Sequence, residues 1–217
     1  LGFRRYIQRA IYGANFPWII KKVKEITPIE VDVSATLGDL PNLPGTATLA
    51  ALGAAYSGVD YVKVGLYGVD RSKDANFMVE NVCRAVKDFK SDLKVIAAGY
   101  ADYEKIGSLD PLELPRVAYK AGAEGILIDI KEKGEKNLFD LLEDEQLDIL
   151  VKMSHGYGLT VALAGSLGRE DVDEASRYGA DIFGVRKSVC ESGDRLRGRV
   201  RRRLVMELAE EIKMHRI

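Results

Sequence analysis

A junction that occurs three times places the strongest constraint on how this chain can fold. Gly58-Val59-Asp60, Gly122-Ala123-Glu124 and Gly179-Ala180-Asp181 each close a segment of helical character and open an apolar run typical of a strand. Glycine is the usual residue just past the end of a helix. Strict alternation of helices and strands implies a parallel sheet with right-handed crossovers.

The same alternation extends along most of the chain. Turn residues and periodicity predict strands over residues 31–37, 61–66, 95–100, 125–130, 160–164 and 182–186. They predict helices over residues 16–26, 49–56, 75–89, 110–121, 144–155, 170–178 and 196–213. Asn15 is the expected cap of the first helix, and Thr46 or Thr48 that of the second. Residues 1–12 carry no turn signal, and a short helix is the only element expected there.

Polar residues stand where the predicted strands end. They are Gly38-Asp39, Gly99-Tyr100-Ala101-Asp102, Asp129, Gly165-Ser166 and Arg186. Function concentrated at the carboxyl ends of strands is typical of the TIM (β/α)8 barrel, which has eight strands. A doubly wound sheet also binds ligands there and is the second candidate. We therefore predict an α/β TIM (β/α)8-type barrel lacking its first two strands, with residues 13–217 as one domain.

The strand around Lys63 carries a cation among apolar residues. Val62, Val64 and Leu66 share one face, and Lys63 lies on the other. A lysine between valines either reaches a partner or loses its proton more easily, which suits imine or proton-transfer chemistry. The alternative, an edge-strand lysine in water, stays open. The glycine junctions put Lys63, Asp129 and Arg186 on equivalent faces, with Asp129 and Arg186 two residues nearer the rim.

Asp129 ends an otherwise apolar strand. Its carboxylate could hold or deprotonate a lysine ammonium or orient a substrate hydroxyl. A helix cap or a salt bridge within the loop is the competing interpretation. Lys133 and Lys136 follow in a charged loop, and the residues alone assign neither of them a role.

Glycine-rich turns close the last two predicted strands. Barrels often bind a phosphate at this point through backbone amides and the start of a helix. The candidate phosphate ligands are Gly165, Ser166, Gly184, Arg186 and Ser188. Ordinary strand-to-helix turns are the alternative.

Bulk properties favour a cytoplasmic protein that acts on a small molecule. The formal net charge is −1, so the balance does not call for nucleic acid or a membrane surface. Cys83 and Cys190 lie far apart, and the two histidines share no ligand spacing, so a metal site is not expected. The basic residues 195–203 are interpreted as a solvated face of the last helix. The oligomeric state stays open, and a homo-oligomer is compatible with it.

Several segments together resemble one family. They are Gly13-Ala14-Asn15-Phe16-Pro17-Trp18, Pro44-Gly45-Thr46, residues 48–53, residues 61–68, residues 97–102, Leu138-Phe139-Asp140, Leu163-Ala164-Gly165-Ser166, Gly184-Val185-Arg186 and Gly193-Asp194-Arg195. This combination resembles (5-formylfuran-3-yl)methyl phosphate synthase of methanofuran biosynthesis, known from methanogenic archaea and some methylotrophs.

The resemblance implies a lyase that condenses two molecules of glyceraldehyde 3-phosphate, with loss of one phosphate and two waters. In the family, one lysine forms a Schiff base with a triose phosphate and a second lysine moves protons. Lys63 matches the second lysine, and Asp129 and Lys133 match a catalytic aspartate and lysine. The implied partner is the triose phosphate substrate, without a cofactor.

The first residues depart from the family pattern. Without gaps, Phe3 and Arg5 stand where the family has an aspartate and the imine lysine. Arginine stays protonated and is no nucleophile, so the chain as written is expected to be impaired. A reading frame shifted upstream of Gly13, or a wrong start, would explain the mismatch. The rival hypotheses are an aldolase-like enzyme using Lys63 for the imine, a non-catalytic triose-phosphate-binding barrel, and a gene fragment.

Overall fold

A computed structural model describes residues 14–194 and 197–215 of the chain. The expectations for residues 1–12, including those for Phe3 and Arg5, lie outside the described residues. The strands are β1 (Ser34–Thr36), β2 (Tyr61–Gly65), β3 (Lys94–Tyr100), β4 (Gly125–Asp129), β5 (Thr160–Leu163) and β6 (Ile182–Phe183). The helices are α1 (Pro17–Ile26), α2 (Pro44–Tyr56), α3 (Ser72–Phe89), α4 (Tyr103–Ile106), α5 (Leu114–Ala121), α6 (Asp144–Gly156), α7 (Val172–Tyr178) and α8 (Arg202–His215).

The six strands form one parallel sheet in sequential order, β1-β2-β3-β4-β5-β6. Sequential order with a helical connection after each strand produces a half-barrel, with the helices outside and one strand face inside. The predicted α/β class and the six strands are confirmed. The described residues show a half-barrel, and no ladder among them joins β1 to β6 to close it.

Alternation along β2 divides its side chains between the two layers. Val62, Val64 and Leu66 are fully buried under the helices, as their shared face predicted. The same pattern in residues 31–37 holds for Val33 and the residues after it, whereas Val31 is 48% exposed. Ladder pairing begins only at Ser34, which explains why β1 is shorter than predicted.

Several helix starts differ from the prediction. Helix α1 has Phe16 rather than Asn15 at its cap position. Helix α2 begins at Pro44, and the Thr48 hydroxyl donates to the Pro44 carbonyl 2.7 Å away instead of capping the helix. Proline suits a first helical turn because its missing N–H would have no partner there.

The end of the chain also differs from the prediction. β6 stops at Phe183, and two 3₁₀ turns, Lys187–Val189 and Glu191–Gly193, follow. An antiparallel bridge then joins Cys190 to Val200. Because Val200 is in this bridge, the last helix begins only at Arg202. Most of the basic stretch therefore precedes the helix. The prediction that it forms a helix face is wrong.

The acids of the three junctions share one hydrogen-bonding role. Each carboxylate accepts from a backbone N–H at the start of the preceding strand, either just before its first residue or at its second residue. The pairs are Asp60 with Val33, Glu124 with Val95 and Asp181 with Val161, each at 2.7 Å. The junctions thus join β1 to β2, β3 to β4 and β5 to β6 at the amino end of the sheet.

A basic side chain from a preceding helix completes each junction. The Lys24 ammonium lies 2.6 Å from Asp60, Lys87 pairs with Glu124, and His155 lies 3.0 Å from Asp181. For Asp60, partial burial would raise the pKa of the carboxyl. The hydrogen bonds from Lys24 and the Val33 N–H outweigh it and lower the pKa below its usual value.

Candidate active site

A cavity of about 820 Å³ occupies the concave face of the half-barrel. Residues at alternate positions of the strands line it, as period-two alternation requires. They include Ser34, Tyr61, Lys63, Ile96, Leu127, Asp129, Ala162, Ala164, Ile182, Gly184 and Arg186. The prediction that Lys63, Asp129 and Arg186 share equivalent faces is therefore confirmed.

Lys63 lies in the middle of β2, paired with Thr36 on one side and Ile96 on the other. Burial lowers the pKa of its ammonium, and the negative charge of Asp129 opposes this only in part. Among the described residues, Lys63 has no carboxylate within ion-pair distance. The alternative of an edge-strand lysine in water is excluded, because β2 lies between two strands and the amine is largely buried.

Asp129 lies further toward the rim than the junction count predicted. Lys63 pairs with Ile96, Ile96 pairs with Gly125, and Asp129 is four residues beyond Gly125. The offset exceeds two residues because neighbouring strands of a curved sheet are staggered. The two side chains nevertheless line one cavity and interact electrostatically.

The loop after β4 brings Lys133 onto Asp129. The Lys133 ammonium contacts the Asp129 Oδ1, which also accepts from the Ile130 N–H at 2.7 Å. Lys133 lines the cavity together with Lys63. Both interpretations of Asp129 hold in part: its carboxylate makes a salt bridge within the loop, and it faces the cavity.

A neighbouring acid holds this loop in place. The Asp102 carboxylate accepts from the N–H groups of Lys131 and Glu132, both at 2.8 Å. Lys131 consequently reaches Asp39 at the end of β1, with its ammonium 4.4 Å from the ring centroid of Tyr67. Sequence reasoning did not select Asp39 or Lys131. Their signal was the polar pair Gly38-Asp39 that follows a strand.

The predicted phosphate turns converge on the same cavity. Gly165, Ser166, Gly184 and Arg186 all line it. Gly165 has φ +118°, and a Cβ there would lie 2.9 Å from Ile130 Cγ1. A Cβ on Gly184 would lie 2.7 Å from the Ala164 Cβ. Both glycines are therefore required by packing, whether or not an anion binds.

Ser188 is separated from the other predicted phosphate ligands. It lines a second cavity, of about 880 Å³, which adjoins the first at Ser166 and Lys187. Its Oγ is buried and has no hydrogen-bond partner among the described residues. The separation arises because the chain leaves β6 at Phe183 and turns before reaching Ser188.

Hydrogen bonds behind the turns fix the position of Gly165. The Gly165 carbonyl accepts from the Leu138 N–H at 3.0 Å. Asn137, just before it, donates to Asp171 at 3.0 Å, and Asp171 also accepts from the Gly168 N–H at 2.7 Å. Burial raises the pKa of Asp171.

Residues 14–194 and 197–215 lack two features that would point to other classes of protein. No group of three or more histidine, cysteine or acidic side chains in this part could hold a metal ion. None of the helices in it combines the length and the apolar character needed to cross a membrane.

The fold and the cavity define a class: a parallel α/β half-barrel in which a partly buried amine from the middle of one strand and a carboxylate from the carboxyl end of another line one cavity. The chain belongs to the 4-HFC-P synthase family, whose model matches residues 10–209. This confirms the resemblance inferred from the motifs.

Curated relatives agree with this assignment. The chain is 49% identical to (5-formylfuran-3-yl)methyl phosphate synthase of Methanothermobacter thermautotrophicus, over 91% of this chain and 84% of that protein. It is 48% identical to the Methanopyrus kandleri protein of the same name, over 92% of this chain and 84% of that protein. For the Methanocaldococcus jannaschii protein the identity is 49%, over 93% and 86% of the two chains.

Solved structures show the fold alone. The aldolase QR15 superposes with a TM-score of 0.60 at 16% identity, covering 77% of this chain and 73% of its own. A phosphoribosyl anthranilate isomerase from Thermus thermophilus gives a TM-score of 0.50 at 18% identity, and the match covers 89% of this chain and 80% of that protein.

Proposed function

We propose that this chain catalyses the condensation of two molecules of glyceraldehyde 3-phosphate to (5-formylfuran-3-yl)methyl phosphate, with loss of one phosphate and two waters. Family membership supports the reaction. The observation that carries it is the Lys63 amine, whose pKa is lowered by burial in a cavity that it shares with Asp129. As such, the protein would be a cytoplasmic lyase of methanofuran biosynthesis.

The roles follow from the chemistry of an imine. A Schiff base between an amine and the triose carbonyl acidifies the adjacent C–H, and loss of that proton gives an enamine that attacks the second aldehyde. Lys63 moves protons, because an amine with a lowered pKa is unprotonated more often near neutral pH. Asp129 holds Lys133 beside the reacting carbons.

The phosphate groups belong at the turns after β5 and β6. We assign one phosphate to Gly165, Ser166, Gly184 and Arg186, which all line the main cavity. The Gly184 N–H donates to the Leu163 carbonyl at 2.8 Å, so the amides of Gly165 and Ser166 and the Arg186 guanidinium would bind the anion, and Gly184 would leave room for it. Ser188 faces the adjoining cavity, so it would contact a phosphate only on that side.

The proposed reaction needs a second amine, which forms the Schiff base. Arg5 stands at the family's imine position. A guanidinium cannot form the imine, so we infer that the chain as written is impaired. The second candidate function, an aldolase-like reaction with the imine on Lys63, is favoured by the lowered pKa of that amine.

The test compares the chain as written with the double variant Phe3→Asp/Arg5→Lys, each with and without Lys63→Met. Each protein is incubated with glyceraldehyde 3-phosphate, and furan aldehyde is quantified by chromatography. Borohydride trapping followed by peptide mass spectrometry locates any imine. We expect the double variant to form furan, and Lys63→Met to reduce its rate about a thousandfold. Lys22→Met, at an exposed helix position, is the matched control.

The outcomes separate the hypotheses. Furan formation that depends on Lys63 supports the synthase. A borohydride adduct on Lys63 with an aldol product and no furan supports the aldolase-like reaction. Binding of triose phosphate with neither product identifies a non-catalytic barrel and overturns the proposal.

A further inference from the structure

Tyr100 ends β3 and is buried, with 3% of its surface exposed. The mechanism above gives it no task. Its hydroxyl occupies a defined place: a Cβ built on Gly65 would lie 2.7 Å from the Tyr100 hydroxyl oxygen and 3.8 Å from the ring carbon that bears it. The absence of a side chain at Gly65 therefore creates the space that the hydroxyl fills.

The sheet register shows how the ring reaches this place. Gly65 pairs with Ala98, two residues before Tyr100, so the tyrosine side chain leans back along β3 and across to β2. Gly65 follows Lys63 by two residues and points to the same face, at a separation of about 6.6 Å. The phenol consequently stands beside the path that the Lys63 side chain takes toward the rim.

The surroundings keep the phenol neutral. Burial raises the pKa of Tyr100, and the charges of Asp39 and Asp129 raise it further. These carboxylates come from opposite sides, since Asp39 follows β1 and Asp129 pairs with Tyr100 in the ladder to β4. Lys131 joins the two sides, because it follows Asp129 by two residues and pairs with Asp39. The Tyr100 hydroxyl thus lies among fixed charges, at the inward position that follows Lys63 along β2.

We propose that Tyr100 is a positioning residue for Lys63: its ring keeps water from one side of the Lys63 amine. Glycine is required at position 65 because a side chain there would occupy the space of the Tyr100 hydroxyl. The catalytic purpose of this shielding rests on the proposed function. The contact between Tyr100 and Gly65 and its effect on Lys63 do not.

Other charged groups also act on Lys63, and the experiment keeps them constant. Those that line the same cavity are Asp129, Lys133, Glu135, Arg186, Lys187 and Asp194. The shielding by Tyr100 is therefore measured as a difference between variants in which all of these residues are retained.

The experiment measures the titration of Lys63 without requiring turnover. The full chain is labelled with trace acetic anhydride across a pH series, and mass spectrometry reads acetylation of the Lys63 peptide against that of exposed Lys22. The variants are Tyr100→Ala, Tyr100→Phe, Gly65→Ala and the double variant Gly65→Ala/Tyr100→Phe. Tyr103→Phe, near the surface in α4, is the matched control.

We expect Tyr100→Ala and Gly65→Ala to move the labelling midpoint of Lys63 upward by about one pH unit, because water reaches the amine. Tyr100→Phe retains the ring and should keep the wild-type midpoint. The double variant should also restore it, because only the hydroxyl meets the added methyl group closely. Tyr103→Phe should change nothing.

An unchanged Lys63 midpoint in both Tyr100→Ala and Gly65→Ala overturns the proposal. If one of the two variants fails to fold, an unchanged midpoint in the other overturns it, as does a midpoint in the double variant that differs from that of Tyr100→Phe. A midpoint that responds as expected in a chain that forms no furan supports the positioning role and counts only against the proposed function.

Discussion

The two ends of the sheet use the same chemical groups for different purposes. At the amino end, Asp60, Glu124 and Asp181 each accept from a backbone N–H at the start of a strand and contact a basic side chain from a helix. At the carboxyl end, the Lys63 amine is buried in a cavity, and no carboxylate in the described part of the chain pairs with it. Full pairing stabilises one end, whereas incomplete pairing leaves a reactive group at the other.

The comparison predicts that substitutions at the carboxyl end reduce activity without reducing stability. Asp129→Asn should lower kcat for furan formation about a hundredfold in the Phe3→Asp/Arg5→Lys background, because a neutral amide cannot hold the Lys133 ammonium by an ion pair. The urea midpoint should move little. Steady-state kinetics and urea unfolding on the same preparation check both statements. A fall in stability that accounts for the lost activity would erase the contrast between the ends.

Substitutions at the amino end should show the reverse. Asp60→Ala leaves the buried Val33 N–H without its acceptor and should lower the free energy of unfolding by about 2 kcal/mol. Glu124→Ala and Asp181→Ala should cost less, because their carboxylates are more exposed, at 32% and 45% against 26% for Asp60. Urea unfolding measures the series. Equal losses at all three positions would show that exposure does not determine how much each junction contributes to the free energy of unfolding.

Acid should lower the stability of the folded chain through Asp60, and this is the smallest of the three predicted effects. The pKa of Asp60 is lowered in the folded chain, so its contribution is fully present above the unfolded pKa of about 4. The contribution is lost as pH falls through the lower folded pKa. Asp60→Asn should therefore show a shallower loss of stability between about pH 5 and pH 2 than the parent chain. Identical slopes would assign the acid sensitivity to other carboxylates.

Local rules predicted what depends on alternation within one strand. Placing Lys63 and Asp129 on a shared face required only counting from Gly58 and Gly122, and the cavity confirms it. The distance along the sheet between them was underestimated, because stagger between strands depends on the register of hydrogen bonds, which the residues of a single strand do not encode.

Contacts between distant loops were not predictable in this way. The pairing of Lys131 with Asp39 joins residues 92 positions apart and depends on how Asp102 holds the intervening loop. Ser188 was grouped with Arg186 because they are close in sequence, yet a 3₁₀ turn places them against different cavities. The role of Gly65 becomes visible only once the Tyr100 hydroxyl is seen in its place.

The junction acids occur before every second strand, so each one bridges a single pair of neighbouring strands. Lys63 belongs to the first pair and Asp129 to the second. Among the described residues, no carboxylate bridge of this kind joins β2 to β3, and the five residue pairs of their backbone ladder hold the two pairs of strands together. The distance between the amine and the acid is therefore set by the backbone ladders on the two sides of β3.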